Sequence, residues 1–117
     1  MNNCQNLTTA EKLQAIIEAS HELPQVIFKH STTCGISAQA LHKLEVASDE
    51  LTDVADVHYL DLLAYRPISN LVAQMIGVPH QSPQVILVSE GKVVHNASHF
   101  SIEPRRVIAA VSDHQPS

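Results

Sequence analysis

The sequence predicts an α/β domain with a four-stranded mixed sheet flanked by helices, in the order α-β-α-β-α-β-β-α. Three observations carry this. Short β-branched runs alternate with stretches of helical apolar spacing. The first two strand–helix units are spaced for parallel strands joined by right-handed crossovers. A two-residue turn late in the chain then folds two strands into an antiparallel hairpin.

The elements follow in order. Thr8-Thr9-Ala10-Glu11 reads as a capping box with Thr8 at the N-cap and Glu11 reaching back. Leu13, Ile16 and Ile17 then fall at helical spacing, which predicts a helix over about residues 9–20, stopped by Pro24. Gln25-Val26-Ile27-Phe28-Lys29-His30 is a short apolar run and predicts a buried strand. Ser31-Thr32-Thr33 makes a polar turn, and Cys34 stands at the start of the next helix. That helix carries Ile36, Ala40, Leu41, Leu44 and Ala47 on one face and is expected to end near Ser48-Asp49-Glu50.

Val54 to Leu60 predicts a second strand. Pro67 suits the first turn of a third helix, with Leu71, Val72, Met75 and Ile76 as its buried face and Gly77 as its terminator. After the loop from Val78 to Pro83, a third strand is expected at Gln84 to Ser89. The turn Glu90-Gly91 leads into a fourth at Lys92 to Asn96. Pro104 sits in the first turn of a last helix, docked by Val107, Ile108 and Val111. This order is that of the thioredoxin fold with an extra first helix. The sequence shows no repeat and no internal linker, so 1–117 reads as one domain, with residues 1–7 and 113–117 expected to be flexible tails.

Composition narrows the function. At 117 residues and 44% hydrophobic, the chain can build one core. With aromatics at 3% and no Trp, that core must be Ile, Leu, Val and Ala. The net charge is −5, and the basic residues are scattered apart from Arg105-Arg106, which reads as a solvated helix face. A nucleic-acid surface would need a clustered basic stripe. No segment approaches the about 20 apolar residues that span a bilayer, and the polar opening lacks signal-peptide character. Two cysteines do not make a disulfide framework, so they read as thiols in a reducing compartment, the cytoplasm.

Chemistry concentrates at Cys34. A thiolate at a helix start faces unpaired backbone N–H groups and the positive end of the helix dipole. Both favour the charged form, lowering a thiol from about 8.5 toward the range of about 3.5–7.5. The same shift supplies thiolate near neutral pH and makes the sulfur a good leaving group. Ser37 occupies the position where a C-x-x-C motif has its second cysteine; it can donate a hydrogen bond to the sulfur but cannot form a disulfide. Thr33 supplies a neighbouring hydroxyl, and Gly35 leaves the backbone uncovered for a partner's approach. Ser82-Pro83, directly before the third strand, is the second feature. In the thioredoxin arrangement a proline there is cis and faces the active cysteine, and the residue before it offers backbone groups to a substrate segment.

Other features carry less. Eight histidines invite a metal reading, but only His95 and His99 have i, i+4 spacing, and they fall at a strand end and loop with no third ligand near. His30 either supports the thiolate or faces the other side of the sheet. Cys4 reads as an incidental exposed thiol.

At Phe28-Lys29-His30-Ser31-Thr32-Thr33-Cys34, Ile36-Ser37, Gln81-Ser82-Pro83-Gln84-Val85, Gly91-Lys92-Val93-Val94 and Ala97-Ser98-His99 the chain resembles the monothiol bacilliredoxins. The resemblance implies a thioredoxin-like fold and removal of bacillithiol from mixed disulfides of S-thiolated client proteins. Cys34 would attack, Pro83 would be the cis-proline, and a small thiol or separate reductase would reset the site. No bound cofactor is implied; bacillithiol is a co-substrate. Gly35 departs from the family's usual proline. It makes Cys34-Gly35-Ile36-Ser37 similar to the C-G-F-S signature of monothiol glutaredoxins, which carry iron–sulfur clusters. A cluster carrier using Cys34 is therefore one alternative, and a non-catalytic binding module of the same fold is the other.

Overall fold

The computed structural model describes residues 5–31 and 35–114. Its centre is β2 (Gln25–His30), every residue of which is buried. Strand β3 (Asp56–Asp61) pairs parallel to β2 on one side. Strand β4 (Gln84–Ser89), also buried throughout, pairs antiparallel on the other, and β5 (Lys92–Ser98) folds back on β4. Glu90 and Gly91 make that turn with φ of 54° and 77°. Two successive positive-φ residues match the right-handed twist of a hairpin.

The sheet has five strands, not four, in the order β1-β3-β2-β4-β5. The extra strand β1 (Gln5–Asn6) lies parallel to β3, in the segment expected to be a flexible tail. Leu7 explains the difference: it is buried and its N–H donates to Tyr59 O at 2.9 Å, so one apolar side chain anchors a polar stretch.

Helix α1 (Ala10–Ala19) is capped by Thr9, whose hydroxyl accepts from the Lys12 N–H at 3.1 Å. The expected cap, Thr8, instead accepts from Lys12 Nζ. The helix expected after Cys34, α2 (Gly35–Val46), ends just before Ser48-Asp49-Glu50 as expected, but a further helix, α3 (Ser48–Val54), follows it. Ser48-Asp49-Glu50 forms the first turn of α3, where its carboxylates favour the positive end of the helix. Helix α4 (Arg66–Ile76) takes Pro67 in its first turn and ends at Gly77 in the left-handed region. Met75, expected in its buried face, is exposed, and Ser69 is buried there with Val72. A 3₁₀ turn (His99–Ser101) leads to α5 (Pro104–Asp113), which is helical one residue into the expected second tail.

Strand alternation divides the core. Val26, Phe28, Val85 and Leu87 face Ala40, Leu44, Leu51, Val107 and Val111 from α2, α3 and α5. Ile27, Ile86, Val88 and Leu60 face Leu13, Ile16 and Val72 from α1 and α4. Positions 28 and 30 therefore look toward α2, and positions 27 and 29 toward α4. Among the described residues no helix is long and apolar enough to cross a membrane.

Candidate functional site at the end of β2

Strand β2 is held between two neighbours and can only end where the sheet ends, at His30. Ser31 follows, buried, and α2 begins at Gly35. Thr32, Thr33 and Cys34 fall outside the described residues, as does Cys4. The surroundings on both sides of the Thr32–Cys34 segment are defined.

Ser37, one turn into α2, is fully buried. Its hydroxyl oxygen accepts from the Ser31 N–H at 3.0 Å and lies 2.7 Å from His30 Nδ1. The last residues of β2 are thus tied directly to the first turn of α2 across the loop. His30 lies on the α2 face, which settles the two placements open to it. Its ring sits 5.7 Å from Phe28 and 5.4 Å from Tyr59, centre to centre. Burial holds its proton affinity below the ordinary histidine value, partly offset by the Ser37 bond and by the carboxylates of Asp61 and Glu45. A neutral His30 with its proton on Nε2 accepts at Nδ1 and takes the one Ser37 proton; with the proton on Nδ1 it donates instead and leaves that proton for another acceptor. Sequence reasoning placed Ser37 beside the sulfur but missed this partner. The signal was present: period-2 alternation puts His30 on the Phe28 face, below the first turn of the following helix.

Gly35 is exposed, and a side-chain carbon added there would meet nothing within 4 Å. The first turn of α2 is therefore open on that side.

The Ser82–Pro83 peptide is cis, as the resemblance implies. The antiparallel register pairs Lys29 with Gln84, which brings buried Pro83 alongside His30, one step further along. Pro83 O accepts from the His99 N–H at 3.1 Å, so the 3₁₀ turn is fixed to the same corner. Ser82 Oγ is buried with no partner among the described residues. The chain ends that bracket Cys34 and the Ser82-Pro83 pair therefore occupy one end of the sheet.

The remaining candidates stay apart. His95 is half-buried on β5 and His99 is exposed in the 3₁₀ turn at φ 53°. Among the described residues no three metal-ligating side chains gather. Arg105 and Arg106 are exposed on α5.

Comparison with known proteins agrees with this geometry. A solved chain described as a presumed oxidoreductase with a thioredoxin fold superposes with a TM-score of 0.80 at 26% identity, covering 95% of each chain. Thioredoxin from Fasciola hepatica superposes at 0.73 with 16% identity, over 95% of this chain and 99% of that one. Malassezia sympodialis thioredoxin (Mala s 13) does so at 0.72 with 17% identity, over 95% and 90%. The last two likenesses show the fold alone. Residues 5–107 match the sequence profile of the monothiol bacilliredoxin BrxC. With its thioredoxin fold and that match over most of its length, the chain belongs to the monothiol bacilliredoxin family of thiol oxidoreductases.

Proposed function

We propose that the protein is a one-cysteine exchange enzyme that removes bacillithiol from client mixed disulfides. The Cys34 thiolate attacks the bacillithiol sulfur. A Cys34–bacillithiol disulfide forms, the client–bacillithiol disulfide breaks, and the client thiolate leaves and takes a proton from water. A second bacillithiol thiolate then attacks the bound bacillithiol sulfur, releasing oxidised bacillithiol and the Cys34 thiolate. A separate reductase supplying two electrons can replace that second step. The enzyme binds no cofactor; the small thiol is co-substrate, and the reducing cytoplasm is where such chemistry runs.

The observation that carries this reading is Ser37. It is buried at the position of a resolving cysteine and hydrogen-bonded to both His30 and Ser31, so the site has a hydroxyl where a dithiol enzyme has its second sulfur. Release by an external thiol follows from that substitution. The choice of bacillithiol is supported by family membership. Thr33, Gly35 and Ser37 are assigned to support of the sulfur, and Ser82 and Pro83 to orienting the client segment.

The test is a client protein carrying one bacillithiol adduct, incubated with wild type and with Cys34→Ser while the adduct mass is followed. Wild type is expected to clear the adduct and Cys34→Ser to leave it at the uncatalysed rate. Equal rates would overturn the proposal.

A further inference from the structure

Lys29 is wholly buried, at 0% exposure, on the α4 face of β2. Its Nζ donates to Ser69 O at 3.3 Å and contacts His80 Nδ1 at 3.2 Å. Among the described residues no carboxylate forms an ion pair with it; the titratable groups it meets are His80 and, acting on the same histidine, Arg66. A buried lysine without a carboxylate is destabilising as a cation. Burial accordingly pushes Lys29 down to about 8, and burial, Lys29 and Arg66 hold His80 below its ordinary value.

What this group holds is a loop. His80 lies three residues before Pro83, in the segment that leads into the cis bond. Gln84, the partner of Lys29 across the β2–β4 ladder, is also buried and grips the same loop. Its Nε2 donates to Pro79 O at 3.2 Å, and its Oε1 accepts from the Gln81 N–H at 3.4 Å. Two buried polar side chains on adjacent strands thus reach residues 79, 80 and 81, and the other described hydrogen bond to these residues comes from α4, where Ser69 Oγ lies 3.3 Å from His80 Nδ1.

We propose that Lys29 is a positioning residue which, through His80 and together with Gln84, sets the placement of the 79–82 loop against which the client segment is aligned. The proposal rests on the exchange reading above for its substrate, and on geometry for the clamp. A lysine serving only as core filler predicts that an apolar side chain of similar length does as well. A clamp predicts that such a replacement preserves the fold and weakens handling of a polypeptide substrate alone.

Three proteins decide this: wild type, Lys29→Met, and His80→Ala, each with its fold confirmed by unchanged exchange in β2 and β4. Hydrogen exchange at the Gln81 amide, which donates to Gln84 Oε1, is expected to rise at least about tenfold in both variants, with β4 amides unchanged. KM for a bacillithiolated peptide is expected to rise about tenfold, with kcat and the KM for hydroxyethyl disulfide unchanged. Unaltered loop exchange overturns the clamp. Faster loop exchange with unaltered peptide KM overturns the positioning role, as does a parallel fall in kcat for both substrates. Wild type inactive on every disulfide would end the exchange reading instead, and with it the positioning role, while amide exchange would still decide the clamp.

Discussion

His30 and Lys29 are neighbours on one buried strand, yet they face opposite sides of the sheet and meet opposite surroundings. His30 stacks on Phe28 and Tyr59, bonds Ser37, and has Asp61 and Glu45 near enough to favour its cation. Lys29 has a carbonyl, a histidine and no carboxylate. Burial lowers the proton affinity of both, but only His30 has charges that resist the shift. One side of the strand end thus ties β2 to the first turn of α2, the two elements that bracket Cys34 in sequence, and the other supports the loop that leads into Pro83. A single strand terminus serves both halves of the proposed site through strand alternation alone.

The largest expected effect separates these two sides by pH. Lys29 has a folded-state value near 8 against 10.5 for the free side chain, so the folded state binds its proton less tightly than the unfolded state. Stability from this group is complete above pH 10.5 and is lost as pH falls toward 8. At about 1.4 kcal/mol per tenfold change in proton affinity, the swing is up to about 3.5 kcal/mol. Lys29→Met is expected to abolish that rise in denaturant titrations between pH 8 and 10.5, and to be no less stable than wild type at pH 7. Identical pH profiles for the two proteins would mean that Lys29 is not desolvated.

Ser37→Ala probes the other side. It removes the hydroxyl that bonds His30 Nδ1, and loss of the partner of a buried polar group costs about 1–3 kcal/mol. A midpoint shift of that size without a change in m-value is expected. A neutral result would show that water replaces the hydroxyl.

The smallest effect is the pH response of His30 itself. With folded-state affinity below the ordinary 6.5, its contribution is present above that pH and is lost as pH falls below it. The Ser37 bond and its neighbouring carboxylates oppose that loss. His30→Phe is expected to flatten the stability profile between pH 5 and about 6.5, the histidine range. An unchanged profile would place the charge of His30 in solvent.

Much of this corner was legible in the sequence, because the signals were local. The β-branched run from Val26, the Glu90-Gly91 turn, Pro67 and Gly77 each specify their own few residues, and β2, β4, the hairpin and α4 lie where those signals put them. Ser82-Pro83 was legible only with the fold order. What sequence did not reveal depends on distant partners. Leu7 orders β1 through Tyr59, 52 residues on, and Lys29 finds Ser69 and His80 at separations of 40 and 51. The end of α2 near Ser48 was legible, but helix α3 was hidden because acidic residues suit a helix start as well as a loop, and the burial of Leu51 decides between them.

One-cysteine exchange requires Cys34 to be ionised near neutral pH, and its alkylation rate against pH in a Cys4→Ser background reads that ionisation. A midpoint below about 7.5 is expected, within the range of thiols stabilised at helix starts. A midpoint above about 8, where an unassisted thiol titrates, would contradict it.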